Sequence, residues 1–173
     1  MANITLEALK IAVSQIRVTE EPPGSNRGKQ VDAYQKAIGL DPKDGNPWCM
    51  AFVYFCFQWA ATIAGVDNPA IRLARCIDVW HRASNLASPK QTTAAQARSN
   101  YKLIKPGMIF ILETNPNTHA GHTGFVESVD YVTGLMTTVE GNSNENGSRE
   151  GVGVFRLKRR KINSINVGFI EYT

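Results

Sequence analysis

Residues 48–64, WCMAFVYFCFQWAATIA, form a long run without one charged side chain. Apolar groups fall on nearly every side of the helix this run would form. Such a helix is stable only when buried on most sides. The run is too short and too interrupted to span a membrane, which needs ~18 or more apolar residues. It therefore predicts a central helix over 48–64, and the rest of the chain must supply the layers that wrap it.

The supply is visible on both sides of the run. Residues 5–17 place Leu6, Leu9, Val13 and Ile16 at helical spacing, and residues 29–38 do the same with Val31, Tyr34 and Ile38. Residues 70–86 predict a fourth helix carrying Leu73, Ile77 and Trp80. Proline and glycine punctuate the connections EEPPGSNRG (20–28) and GLDPKDGNP (39–47). ASPKQTTAAQARSN (87–100) is small and polar and predicts a loop or frayed helix. The period then changes from helical to alternating. MIFIL (108–112), HTGFVESVD (122–130), LMTTVEG (135–141), GVGVFRLKR (151–159) and INVGFIEY (165–172) predict strands, with YVTG and NENGS as turns. Helices first and an antiparallel sheet after them make an α+β fold, with the central helix against one sheet face. No internal repeat interrupts the chain, and 173 residues suit a single domain over 1–173.

Charge and targeting signals narrow the setting. The net charge of +4 is a mild bias toward anionic surfaces, too small to choose among nucleic acid, phospholipid and cell-wall polymer. The N-terminus MANITLEALKIAVSQI is amphipathic and lacks the charged head and apolar run of a signal peptide. The expectation is a protein made in the cytoplasm that reaches any other site of action by another route. Three cysteines, Cys49, Cys56 and Cys76, make an odd count with no CxxC pair. That argues against both a disulfide framework and a zinc ribbon.

The position of Cys49 carries the chemistry. Asn46 is a favoured helix cap and Pro47 a favoured first helical residue, which puts Trp48 second and Cys49 third. Unpaired N–H groups and the positive helix end then lie beside the sulfur and favour thiolate. A buried cysteine acting only as a small hydrophobe is the plain alternative. A nucleophilic thiolate needs a base. Of three histidines, His81 lies within the fourth helix, His119 in the loop NPNTHAG, and His122 at the mouth of a strand beside Gly121 and Gly124. Strands 122–130 and 135–141 are joined by a short turn and should pair as a hairpin. Glu140 and Asn142 then end near His122, where either could orient the imidazole. Taken singly, each has a plainer reading: an unpartnered strand-end histidine, a solvated charge, an ordinary turn residue. Cys56 and Cys76 read as core residues.

PWCMAFV, the following GHTGFV and then VEGNSN resemble the CHAP domain, a branch of the papain-like NlpC/P60 superfamily. The similarity extends over roughly residues 6–172, including IKPGMIFIL, where Met108 stands in place of the family's usual Asp. The resemblance implies a papain-like cysteine amidase or endopeptidase cutting peptidoglycan. It implies Cys49 as nucleophile, His122 as base and Glu140 as orienting residue, with Asn142 and Trp48 as accessory groups. The Cys49 N–H would be one oxyanion donor. Some family members bind calcium in an acidic loop, but DPKDGNPW has only Asp41 and Asp44 at the wrong spacing, so no metal and no cofactor is expected. Expected partners are peptidoglycan and, for a secreted antibacterial effector, an immunity protein. Nucleic acid, membrane insertion and oligomerisation are not expected. The absence of a signal and of a wall-binding repeat suits a phage endolysin or such an effector, acting at the cell wall in the periplasm or outside the cell. Three rivals stand beside this reading. One is a cysteine amidase or acyltransferase acting on a small molecule, and another is an inactive wall-binding module of the same fold. A zinc site using His119 and His122 is the third.

Overall fold

The computed structural model describes residues 3–145 and 151–172. Helix α1 (Ile4–Ser14) starts at Asn3, whose side chain accepts the Thr5 N–H at 3.0 Å. Helix α2 (Lys29–Ile38) ends on Gly39 in the left-handed conformation that glycine adopts without steric cost. Helices α3 (Cys49–Ala64) and α4 (Cys76–Ala83) follow, then strand β1 (Lys90–Thr93) and the short helix α5 (Ala94–Ser99). The remaining elements are β2 (Ile109–Asn115), β3 (Ala120–Asp130), β4 (Leu135–Ser143), β5 (Gly153–Lys161) and β6 (Gly168–Glu171). They form one antiparallel sheet in the order β1-β6-β2-β3-β4-β5. The fold is α+β, with helices first and the sheet after them.

Helix α3 occupies the centre, as its composition requires. Met50, Phe52, Val53, Cys56, Phe57 and Ala60 are fully buried. One side meets α1 and α2, and the other meets β3 and β4. Phe57 stacks on Phe125 of β3 at 5.6 Å between centroids, and Phe52 meets the same ring edge-on at 6.2 Å. Rings in these arrangements add about 0.5–1.5 kcal/mol per pair beyond their buried area. Burial all round fails only toward the C-terminal end, where Trp59 and Ile63 are exposed. At 16 residues α3 is longer than the flanking α1 (11) and α2 (10), so its end outruns its cover.

A second apolar layer lies on the opposite sheet face, built from Phe110, Val126, Met136 and Phe169 with Ala97, Ile104, Ile162 and Ile165. Both faces of β2 are therefore buried, which explains why MIFIL is continuously apolar and not alternating. Met108 belongs to this layer at 2% exposure, so the residue in the place of an expected Asp fills a core.

Two expectations from the sequence need correction. The fourth helix does not begin at 70 but at Cys76. The Ala70 N–H is taken by the Asn68 side chain at 2.9 Å and the Leu73 N–H by the Ile71 carbonyl at 3.0 Å, so local turns consume the bonds a helix would need. Leu73 is consequently exposed, and so is Leu6, because α1 packs through Ala8, Leu9 and Ala12. The segment 87–100, expected as a loop or frayed helix, holds a short helix and also a strand. Residues 90–93 pair with β6, and Thr93 with Gln96 forms a reciprocal capping box that starts α5. Most of the NENGS turn lies outside the described residues. Among the described residues, no helix is long and apolar enough to cross a membrane.

Candidate active site

The approach to α3 is fixed by tertiary contacts. Fully buried Gln35 of α2 donates through Nε2 to the carbonyls of Asn26 and Asn46, both at 2.9 Å. The Trp48 indole N–H donates to buried Glu20 at 2.9 Å, and Glu20 also accepts the Asn26 N–H at 3.1 Å. These bonds hold residues 46–48 outside the helix. Trp48 (φ −121°, ψ 16°) is therefore the cap, and Cys49 is the first helical residue. The expected arrangement, with Asn46 as cap and Pro47 first, is corrected: pinning by α2 and the 20–28 loop outweighs the local cap preference. Cys49 still opens the helix, and its N–H has no acceptor within it. The Trp48 indole is directed to Glu20, an anchor for the loop.

His122 and Glu140 are brought together as the hairpin predicts. Phe125 pairs with Val139, and the start of β3 runs beside the end of β4. His122 Nε2 lies 2.7 Å from Glu140 Oε2, with both side chains buried. Among the described residues Nδ1 is buried without a nitrogen or oxygen partner, and it is the ring nitrogen left for the Cys49 sulfur with which His122 interacts. Gly124 makes the approach possible, since a Cβ there would lie 2.6 Å from Glu140 Cγ and 2.8 Å from the Val139 carbonyl oxygen. Asn142 is buried two residues beyond Glu140 in a left-handed conformation (φ 53°) that asparagine tolerates.

Glu140 has two further partners that sequence reasoning missed. Arg160 of β5 holds the carboxylate through two bonds, Nε to Oε1 at 2.5 Å and Nη2 to Oε2 at 2.6 Å. The Thr138 hydroxyl donates to Oε1 at 2.6 Å. The Arg160 guanidinium also lies 4.8 Å above the Phe110 ring. In sequence, Arg160 sits in LKRRK and looks like one of several solvated charges, and no local signal separates it from its neighbours. For Gln35 a signal existed: it follows Tyr34 on the apolar side of α2.

Cys76 is not merely a core residue. It opens α4, and its Sγ lies 3.8 Å from that of Cys49. Both line a half-open cleft of about 430 Å³ bordered also by Asn46, Arg75, His119 and Gly121. His119 pairs with Glu113 at 3.0 Å in an exposed loop, and His81 is exposed on α4. Cys56 is fully buried and does not line the cleft. Among the described residues, no three His, Cys, Asp or Glu side chains gather as a metal site would require.

The electrostatics favour a charge-separated pair. Hydrogen bonding from Cys76 holds the Cys49 thiol well below its ordinary value; burial opposes this, and His122 and the Met50 N–H reinforce it. Burial pushes His122 down, but bonding and attraction from Cys49 and Glu140 win and raise it to about 9. Burial likewise opposes ionisation of Glu140, yet His122 and Arg160 keep it below the usual carboxylate value. Burial alone pushes Cys56 up. Such a site can hold a thiolate beside an imidazolium whose other nitrogen is anchored to a carboxylate, the requirement for acyl transfer through sulfur.

A family model described as the CHAP domain matches residues 41–142. No curated protein and no solved structure gives a significant match. The matched segment contains Cys49, Cys76, His122 and Glu140. It leaves out Glu20 and Gln35 before it and Arg160 after it.

Proposed function

The chain belongs to the CHAP family, whose model covers more than half of it, and from that membership we propose that it hydrolyses an amide bond in the stem peptide of peptidoglycan. The observation that carries this reading is Cys49, at the head of a buried helix and on the wall of a half-open cleft, interacting with His122, whose Nε2 lies 2.7 Å from Glu140. The Cys49 thiolate attacks the scissile carbonyl. The Cys49 N–H, unpaired at the helix start, faces the oxygen as negative charge develops there. His122, protonated in the resting site, gives its proton to the leaving amine. It then takes a proton from the water that splits the thioester and so releases the acid. Glu140 holds Nε2, which directs Nδ1 to this work, and Arg160 and Thr138 keep the carboxylate in place.

The half-open cleft suits a peptide strand lying across it better than an enclosed small molecule. The proposed role is lysis at the bacterial cell wall, by a phage endolysin or by a delivered antibacterial effector. Peptidoglycan is the substrate, and an immunity protein is the partner in the effector case.

Mass spectrometry of the soluble products from purified peptidoglycan tests the proposal. The expected result is muropeptides with a newly freed amine in or at the stem peptide, absent with Cys49→Ala. Products with intact stems and newly cut glycan strands would overturn it.

A further inference from the structure

The starts of two helices, α3 and α4, converge on one cleft and place two cysteine sulfurs side by side. We propose that Cys49 and Cys76 form a reversible disulfide on oxidation, making the dithiol a modification site that removes the Cys49 thiolate from service. The sulfurs are 3.8 Å apart and need to close by roughly 1.8 Å to reach bonding distance. Rotations about the two Cα–Cβ bonds can share that movement. Cys49 and Cys76 are almost wholly buried in protein, at 5% and 3% exposure, but both border the cleft through which a small oxidant enters. The third cysteine, Cys56, is fully buried away from it. All three are reduced thiols in the structure.

The chemistry balances with a peroxide as oxidant. The Cys49 thiolate attacks one peroxide oxygen and breaks the O–O bond, giving a sulfenic acid and hydroxide. The Cys76 sulfur then attacks the Cys49 sulfur, a water leaves with the Cys76 proton, and the S–S bond forms. Two electrons pass from the two sulfurs to the peroxide. A dithiol reductant reverses the reaction. Thiolate character at Cys49 makes it the first sulfur oxidised, and the neighbouring thiol intercepts the sulfenic acid before further, irreversible oxidation. The consequence for activity rests on Cys49 being the nucleophile as proposed above; the linkage itself does not.

The test exposes the native protein to hydrogen peroxide. The protein is then denatured in iodoacetamide, digested and mapped by mass spectrometry. The expected result is a Cys49–Cys76 cross-linked peptide, with alkylatable cysteines falling from three to one and returning to three after dithiothreitol. In Cys76→Ser, Cys49 is expected to go on to sulfinic and sulfonic acids that dithiothreitol does not recover. The inference is overturned if wild-type Cys49 is over-oxidised as fast as in Cys76→Ser, if Cys49 resists peroxide, or if the cross-link involves Cys56. Because the readout is the state of the cysteines, its failure leaves the hydrolase reading standing. A cross-link in a protein that cuts no peptidoglycan would instead sink only the hydrolase reading.

Discussion

Replacing Glu140 with Gln keeps the shape of the side chain and removes its charge, and the structure fixes what that costs. Glu140 is fully buried, accepts two bonds from Arg160 at 2.5 and 2.6 Å, and lies 2.7 Å from His122. Arg160 is itself only 11% exposed. The variant removes the one carboxylate that faces both the Arg160 guanidinium and the His122 imidazolium. Removing one partner of a buried pair costs about 3–5 kcal/mol, a large share of a total stability of about 5–15 kcal/mol. At about 2–4 °C per kcal/mol for a chain of this size, Tm should fall by roughly 6–20 °C. Thermal unfolding followed by circular dichroism at pH 7 measures it. Glu140 carries a lowered folded-state pKa, so its contribution is fully present at that pH and is lost only as pH drops through the carboxylate range. Adding Arg160→Met removes the cation that the carboxylate balanced, and the double variant should recover part of the loss. A Glu140→Gln Tm within about 2 °C of wild type, or a double variant less stable than the single, would refute the buried-pair argument.

Activity should follow a bell in pH, with kcat/KM rising as Cys49 ionises well below the ordinary thiol range and falling as His122 loses its proton near 9; a single rising limb through pH 8–9 would contradict the ion pair. The same His122 shift predicts stability that is complete below the unfolded value of ~6.5 and declines as pH rises through about 9, readable from urea midpoints across that window. His119→Ala should keep most activity, because that ring is exposed and paired with Glu113; an inactive His119→Ala beside an active His122→Ala reverses the assignment. Gly124→Ala should lose ~1–3 kcal/mol of stability and most activity together, since the new methyl would meet the Val139 carbonyl oxygen at 2.8 Å as well as Glu140. Retention of both in Gly124→Ala would mean that β4 has room to shift.

What could be read from the sequence was what local pattern dictates. Helix α2 falls at 29–38 as its periodicity predicts, and α3 differs from prediction by one residue. The His122–Glu140 contact was legible because a short turn leaves a hairpin little choice of register. The helix start was misread because cap preferences are worth about 1 kcal/mol, and two buried tethers, Gln35 to Asn46 and Glu20 to Trp48, outweigh them. Cys76 is buried in the core as expected, but its place beside Cys49 was not legible, because that neighbour is 27 residues away and no pattern joins them. Arg160 was invisible for the same reason: its partner lies on the adjacent strand, and its own segment is uniformly basic. Leu6 and Leu73 marked helical spacing in the sequence, but smaller alanines let α1 approach α3, and local turns left Leu73 outside any helix.

The central claim is that Cys49 rests as a thiolate stabilised by its neighbours, and alkylation measures it most directly. Native protein is pulsed with iodoacetamide across a pH series, and the Cys49 peptide is quantified by mass spectrometry. The account predicts a labelling midpoint well below the ~8.5 of a free thiol, rising when His122 is replaced by Ala. A midpoint for Cys49 at or above that of Cys56 in the denatured chain would contradict it.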